Sequence, residues 1–457
     1  MSRKLATATV LLLLLVMVGA PTGANAASKD QAYSDLSSLP KIEAYLNSIG
    51  IDLGSVVIQQ GQFNYAGPNC PGAGWNCTTA NKVVQLAPAA LPAANIVDCS
   101  PAVSVTLLGV DECVIVQSSA LSLTETASTL NSASCDIDGS SGKQRCKIRQ
   151  QSKKGSNHAQ INQRTNQRGG SPQFAQQEAT IDQTSDTGNN TAKITQTIAQ
   201  DLKTTSTTEV TQQQDACQYA KVSQSSTMGG SNSSDVQQSQ SQGEEADSSG
   251  DIDQFQNTAA CQFSDITVVG ERNATADVMQ NSTTGNLTSN LRQLIKQDHV
   301  ADSPAGTVSQ AQSNFANGGL AGMVTQSTTD PGVIRSTATQ DEPQTQEADT
   351  APGQLIQDQF GPEFCCATQM GGTDANINTV DQSNVQKNDS GGSSQTSFQS
   401  GHCKEVGSAA QCTLFQTYTS NSGTDEFGPI SGMTVDSERA CFDGGEDAVC
   451  GDPDIID

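Results

Sequence analysis

From about residue 145 to residue 416 the chain alternates inward-type and polar residues with a period of two, the pattern of a strand with one covered face. An aliphatic residue stands two positions before a glutamine again and again: Ile148/Gln150, Ile161/Gln163, Ile181/Gln183, Ile194/Gln196, Val210/Gln212, Val222/Gln224 and Val278/Gln280. A small residue precedes the glutamine by four in most copies, as Ala159 and Ala192 do, and an asparagine precedes it by six at Asn157 and Asn190. All these offsets are even, so in extended chain the side chains share one face. Lys, Asp, Thr, Ser and Glu occupy the odd positions and suit the solvent side. Val83/Gln85 and Ile115/Gln117 read as earlier copies.

Between Gln150 and Gln416 the units recur about every 15 residues, with shorter and longer intervals in turn and Gly, Ser, Asn and Thr between them. Short strands at near-regular spacing predict an all-β chain, a β-solenoid of strand-turn-strand coils, each roughly 30 residues long. Alternation favours two strands per coil. Three stays open, because Cys365 and Cys412 lie three units apart in the same phase. Stacking gives the glutamines their reason: each amide can bond its equivalent one coil up and one coil down, which offsets a burial cost of several kcal/mol per polar group.

Asn157-His158-Ala159-Gln160-Ile161-Asn162-Gln163, and Asn190 through Gln196, resemble the Asn-x-Ala-x-aliphatic-x-Gln arm of curlin repeats. The resemblance spans roughly residues 145 to 416. It implies strand-turn-strand coils and self-association into extracellular filaments. The turns differ from that family in length, in carrying cysteines and in including Pro331 and Pro343.

The flanks read differently. Residues 1–26 have a basic start, an apolar run from Val10 to Val18 and a small-residue ending, the features of a secretory signal peptide. No later stretch approaches the ~20 apolar residues of a membrane-spanning helix. Residues 27–80 form a candidate N-terminal cap: a short helix with Pro40 in its first turn, then a staple from Cys70 to Cys77 around the single Trp. Residues 81–416 hold the solenoid repeats. Residues 417–457 lose the repeat, turn acidic and read as a second cap covering an otherwise sticky edge.

Aromatics make up only 4% of the chain and apolar residues 34%, too little for a thick conventional core and compatible with a thin repeated one. A net charge of −25 argues against nucleic acid and anionic lipid as partners. Fourteen cysteines in an exported chain favour disulfides. The near-neighbour candidates are Cys70 with Cys77, Cys135 with Cys146, Cys403 with Cys412, and Cys441 with Cys450. Between Lys143 and Arg168 the charges are all basic, and between Asp425 and Asp457 nearly all acidic. The plain reading is two solvated faces; the sharper one is head-to-tail contact between molecules.

Nothing in the chain spells a reaction. His158, His299 and His402 fall in separate units with no ligand-spaced partners, and surface or turn positions are expected for them. Asp136-Ile137-Asp138-Gly139 lacks the later ligands of a calcium loop and reads as a turn. No nucleophile elbow, phosphate loop or HExxH motif is present. The expectation is a secreted, non-enzymatic structural protein of an extracellular matrix, surface layer or adhesive fibre, with neither cofactor nor metal. The alternative is a monomeric module that binds a polysaccharide or cell surface through its outward rows.

Overall fold

The computed structural model describes residues 39–48, 51–80, 82–87, 93–99, 111–120, 129–138, 141–169, 171–257, 274–303, 307–313, 320–328, 333–350, 355–370, 375–388, 394–406, 410–420, 424–425, 428–429 and 435–443. The expected signal peptide and Cys450 lie outside them.

The chain divides into two units, Met1–Leu53 with Ser264–Thr267, and Gly54–Phe263 with Val268–Asp457. In the first, helix α1 (Leu39–Ser48) carries Pro40 at its second residue, where a missing N–H costs nothing. Ile42 and Leu46, one turn apart, are fully buried, and Ile51 N–H bonds Leu46 C=O past the helix end.

The second unit is built from two twelve-stranded sheets. In spatial order the first holds β1 (Val57–Gln60), β4 (Lys82–Ala87), β6 (Asp111–Ala120), β8 (Ser141–Gln151), β10 (Gln173–Ser185), β12 (Val210–Ser226), β14 (Ile252–Asn257), β17 (Val308–Ser313), β20 (Leu355–Met370), β18 (Leu320–Thr328) and β15 (Ala274–Ser282), with β22 (Ser394–Val406) on β20. The second holds β2 (Phe63–Ala66), flanked by β3 (Asn76–Thr78), then β5 (Ala93–Cys99), β7 (Thr129–Asp138), β9 (Asn157–Arg168), β11 (Asn190–Ser206), β13 (Asn232–Ser248), β16 (Leu287–Ser303), β19 (Val333–Thr350), β21 (Ala375–Asn388), β23 (Ala410–Ser420) and β26 (Val435–Asp443). A two-residue pair, β24 (Thr424–Asp425) and β25 (Gly428–Pro429), stands apart. Every pairing within the two large sheets is parallel except β23 with β26. From β6 to β23 the chain crosses from one sheet to the other after each strand, save that β14/β15 and β17/β18 are successive strands of one sheet.

Two sheets rather than three take up the repeats, and Cys365 and Cys412, expected in one phase, sit on different sheets. A repeat unit is also not always a strand. Val210/Gln212 and Val222/Gln224 share the 17-residue β12, whose first half pairs with β14 and second half with β15. The alternation of short and long intervals is already present where each strand holds one unit: Gln150 lies near the end of β8 and Gln163 in the middle of β9, whereas the next step runs to Gln183 near the end of β10. The full circuit exceeds the expected 30 residues: equivalent glutamines are 33, 41, 56, 46 and 43 positions apart from Gln150 to Gln369.

The core lies between the sheets. One column on the first sheet runs Ile148, Ile181, Val222, Val278, Val324, and one on the second runs Ile161, Ile194, Val236, Leu291, Ala338, Val380. Together they form the main apolar cluster. Small residues let the walls meet; Gly322 lies so close that an added Cβ would be 2.6 Å from Leu291. Pro343 sits inside β19 rather than in a turn, and register passes it unchanged, from Leu294 opposite Asp341 to Gln297 opposite Gln344.

Candidate functional site: stacked amide rows

The eighteen ladder residues singled out above are all buried, none more than 4% exposed. On the first sheet Gln183 Nε2 donates to Gln150 Oε1, Gln224 to Gln183 and Gln280 to Gln224, each at 2.7 Å, and the row continues through Gln326 to Gln369. On the second sheet Gln163, Gln196, Gln238, Gln293, Gln340 and Gln382 form the matching row at 2.7–2.8 Å. A further row starts at Gln212 and climbs through Gln254 and Gln310 to Gln357. Of another row, from Gln167 through Gln200, Gln242, Gln297 and Gln344 to Gln386, the aliphatic-x-Gln spacing picks out only Ile198/Gln200 and Ile295/Gln297. It lies four residues beyond the main glutamines in the same strands, an even offset that could have revealed it.

Each amide has a second donor hydrogen, and it crosses to the facing sheet. Gln183 donates to Thr191 C=O at 2.9 Å, Gln224 to Ser233 C=O at 2.9 Å and Gln280 to Thr288 C=O at 2.9 Å. The glutamines therefore join neighbouring strands of one sheet and also bond the strand that follows on the facing sheet. The asparagines run the other way: Asn157 Nδ2 donates forward to Asn190 Oδ1 at 2.9 Å, and Asn190 to Asn232 at 2.8 Å. A neutral amide pair inside a protein is worth more than in water, and leaving either half alone costs about 1–3 kcal/mol.

The upstream copies belong to a separate block. Gln59, Gln85 and Gln117 stack on one another, but Gln117 lies opposite Ile148, and Gln150 lies opposite Ser119. A two-residue slip between β6 and β8 thus breaks the row, and two being even, inward residues stay inward.

The disulfides differ in part from expectation. Cys70 bonds Cys77. Cys135 bonds Cys113 rather than Cys146, linking β7 to β6 across the core, while Cys146 Sγ lies buried 3.6 Å from Cys135 Sγ. Sequence proximity favoured the wrong partner, because β6 and β8 are equivalent strands on either side of β7. Cys217 is disulfide-bonded. The side chains of Cys403, Cys412 and Cys441 are outside the described set, although their backbones lie in β22, β23 and β26.

Outer faces also depart from the simple picture. On β8, β10 and β12 the outward Lys147, Glu178, Thr180, Cys217 and Tyr219 are buried, so this part of the first sheet is covered on both sides. The basic run starting at Lys143 is correspondingly engaged. Lys143 lies 5.6 Å over the Phe174 ring, and Arg145 lies 3.5 Å from Glu178. Burial pulls the Arg149 guanidinium below its ordinary value, partly opposed by Asp182. Lys154, Arg164 and Arg168 remain exposed.

His158 is exposed on β9. His299, expected at the surface, is fully buried with its Nε2 3.1 Å from Glu244 Oε2, because its phase in β16 points inward. His402 lies in β22. Asp136 and Asp138 fall within β7 rather than in a turn. Among the described residues no group of three His, Cys, Asp or Glu is placed to hold a metal, and no helix is long and apolar enough to cross a membrane. No protein-family model matches the chain, and no curated protein or solved structure matches it.

Proposed function

We propose that the chain is a β-solenoid with curlin-like repeats that serves as a secreted structural element of an extracellular matrix, surface layer or adhesive fibre. The observation that carries this reading is the row from Gln150 to Gln369, six amides bonded head to tail across the buried core. So much buried polarity is spent on stacking like on like, the chemistry that gives cross-β assemblies their persistence. Disulfides such as Cys113–Cys135 suit an oxidising, extracellular setting. Electron microscopy of the purified oxidised protein tests it: filaments of uniform width are expected, and discrete particles at every concentration overturn it.

One observation favours a second reading, a capped monomer that binds a polysaccharide or surface. β26 runs antiparallel on β23 and ends the parallel series at that edge of the second sheet. Discrete particles together with glycan binding would establish this reading instead.

A further inference from the structure

The outer face of the second sheet carries one column that differs from its surroundings. It starts at the Trp75 and Phe63 rings, 5.4 Å apart, and passes through Ala94, Leu130 and His158 to Thr191 in strict register. Phe63 is 37% and Leu130 45% exposed, and Trp75 is half-buried with its ring perpendicular to that of Tyr65, centroids 6.4 Å apart. The column holds no Asp, Glu, Lys or Arg, in a chain whose net charge is −25. The adjoining column, Tyr65, Ile96, Ser132 and Gln160, is likewise free of those four residue types until Lys193.

The rings are held in place. Trp75 lies inside the loop closed by Cys70–Cys77, in which Gly72 and Gly74 adopt positive φ and have no side chain to shade it. Asn76, exposed beside Trp75, bonds Asn64 Oδ1 at 3.3 Å.

We propose that this column is a binding track for a neutral carbohydrate chain, with Trp75 and Phe63 as its stacking platform. A sugar ring offers a face of C–H groups to an aromatic ring and a rim of hydroxyls to amides and hydroxyls, the two chemistries that this column and its neighbour supply. Absence of charge selects a neutral ligand over an anionic or cationic one. Size selects a single extended chain over a protein: from Trp75 to Thr191 the column crosses six strands at ~4.8 Å each and is one or two side chains wide, on the order of 200–300 Å². A stable protein partner needs about 800 Å² on each side.

Trp75 is the only tryptophan and reports its own site. Titrating the oxidised protein with neutral β-linked glucan and xylan oligosaccharides should shift its fluorescence saturably, whereas alginate of matching length should not. By calorimetry, Phe63→Ala and Leu130→Ala should each weaken binding about fivefold or more, and Lys203→Ala on a distant outer position should leave it unchanged. Two results overturn the proposal: no response to any neutral glycan, or a response that tracks protein concentration alone and so reports a second copy. These residues stand apart from the amide rows, so failure here and failure of the filament test are separate outcomes.

Discussion

Gln163 and Gln196, 33 positions apart, are joined by a 2.7 Å bond from Nε2 of the later residue to Oε1 of the earlier. Gln196 also accepts from Gln238 Nε2 at 2.8 Å and donates to Tyr219 C=O at 2.9 Å. One amide thus joins three neighbouring strands of the second sheet to the first sheet.

Gln196→Ala is therefore expected to lower stability by about 3 kcal/mol, since it leaves several buried polar groups alone in a place water cannot reach. Gln160→Ala, on the exposed face of the neighbouring strand, should stay within ~0.5 kcal/mol. Urea unfolding of the two variants separates the inner and outer roles of the same residue type.

Glycines should divide in the same way. An added Cβ at Gly188 would stand 2.0 Å from Gly155 O, and at Gly230, where φ is +129°, 2.4 Å from Gly188 O. Gly188→Ala should cost more than about 3 kcal/mol, because the obstacle is the backbone at Gly155, between β8 and β9. Gly243→Ala meets nothing closer than 3.9 Å and should raise stability by ~0.5 kcal/mol through the lower entropy of the unfolded chain. Thermal unfolding reads both.

Non-reducing peptide mapping should recover Cys70 with Cys77 and Cys113 with Cys135. Cys113→Ser, which opens a crosslink spanning 22 positions, should lower stability by about 3 kcal/mol. Recovery of Cys135 joined to Cys146 would overturn the pairing.

Asp341 should make stability fall as pH rises. Burial first, and the nearby Asp381 second, raise its carboxyl above the ordinary value of 3.8, with Arg292 opposing. A raised carboxyl favours the folded state while protonated, so its contribution is complete in acid and is lost as pH climbs through the raised value. Asp341→Asn should leave the urea midpoint unchanged near pH 3 and increase it at pH 7.

Much of this was legible in the residues. Period-two alternation marked the strands, and the even offsets of Asn157, Ala159, Ile161 and Gln163 placed them on one inward face. What escaped the reading depended on contacts between distant strands. Nothing local shows that β12 carries two units in one strand, or that β6 and β8 meet with a slip of two. Cys135 could choose between partners on two equivalent strands, and only their spatial positions decide. Buried outer residues such as Lys147 and Tyr219 follow from cover on the far side of the sheet, which alternation along a strand does not encode. His299 is the exception: its even offset from Gln297 already placed it inward.

The unequal spacing of the glutamines has a consequence for how such a protein can change. Bonding between Gln224 and Gln280 is as short as that between Gln150 and Gln183, although 56 positions separate the first pair and 33 the second. What the rows demand is phase, not count. The longer interval includes the stretch between β14, ending at Asn257, and β15, starting at Ala274, two strands of one sheet. Extra sequence can enter there while the rows keep their phase, so lineages that share this interior could lose recognisable repeat lengths long before they lose the architecture.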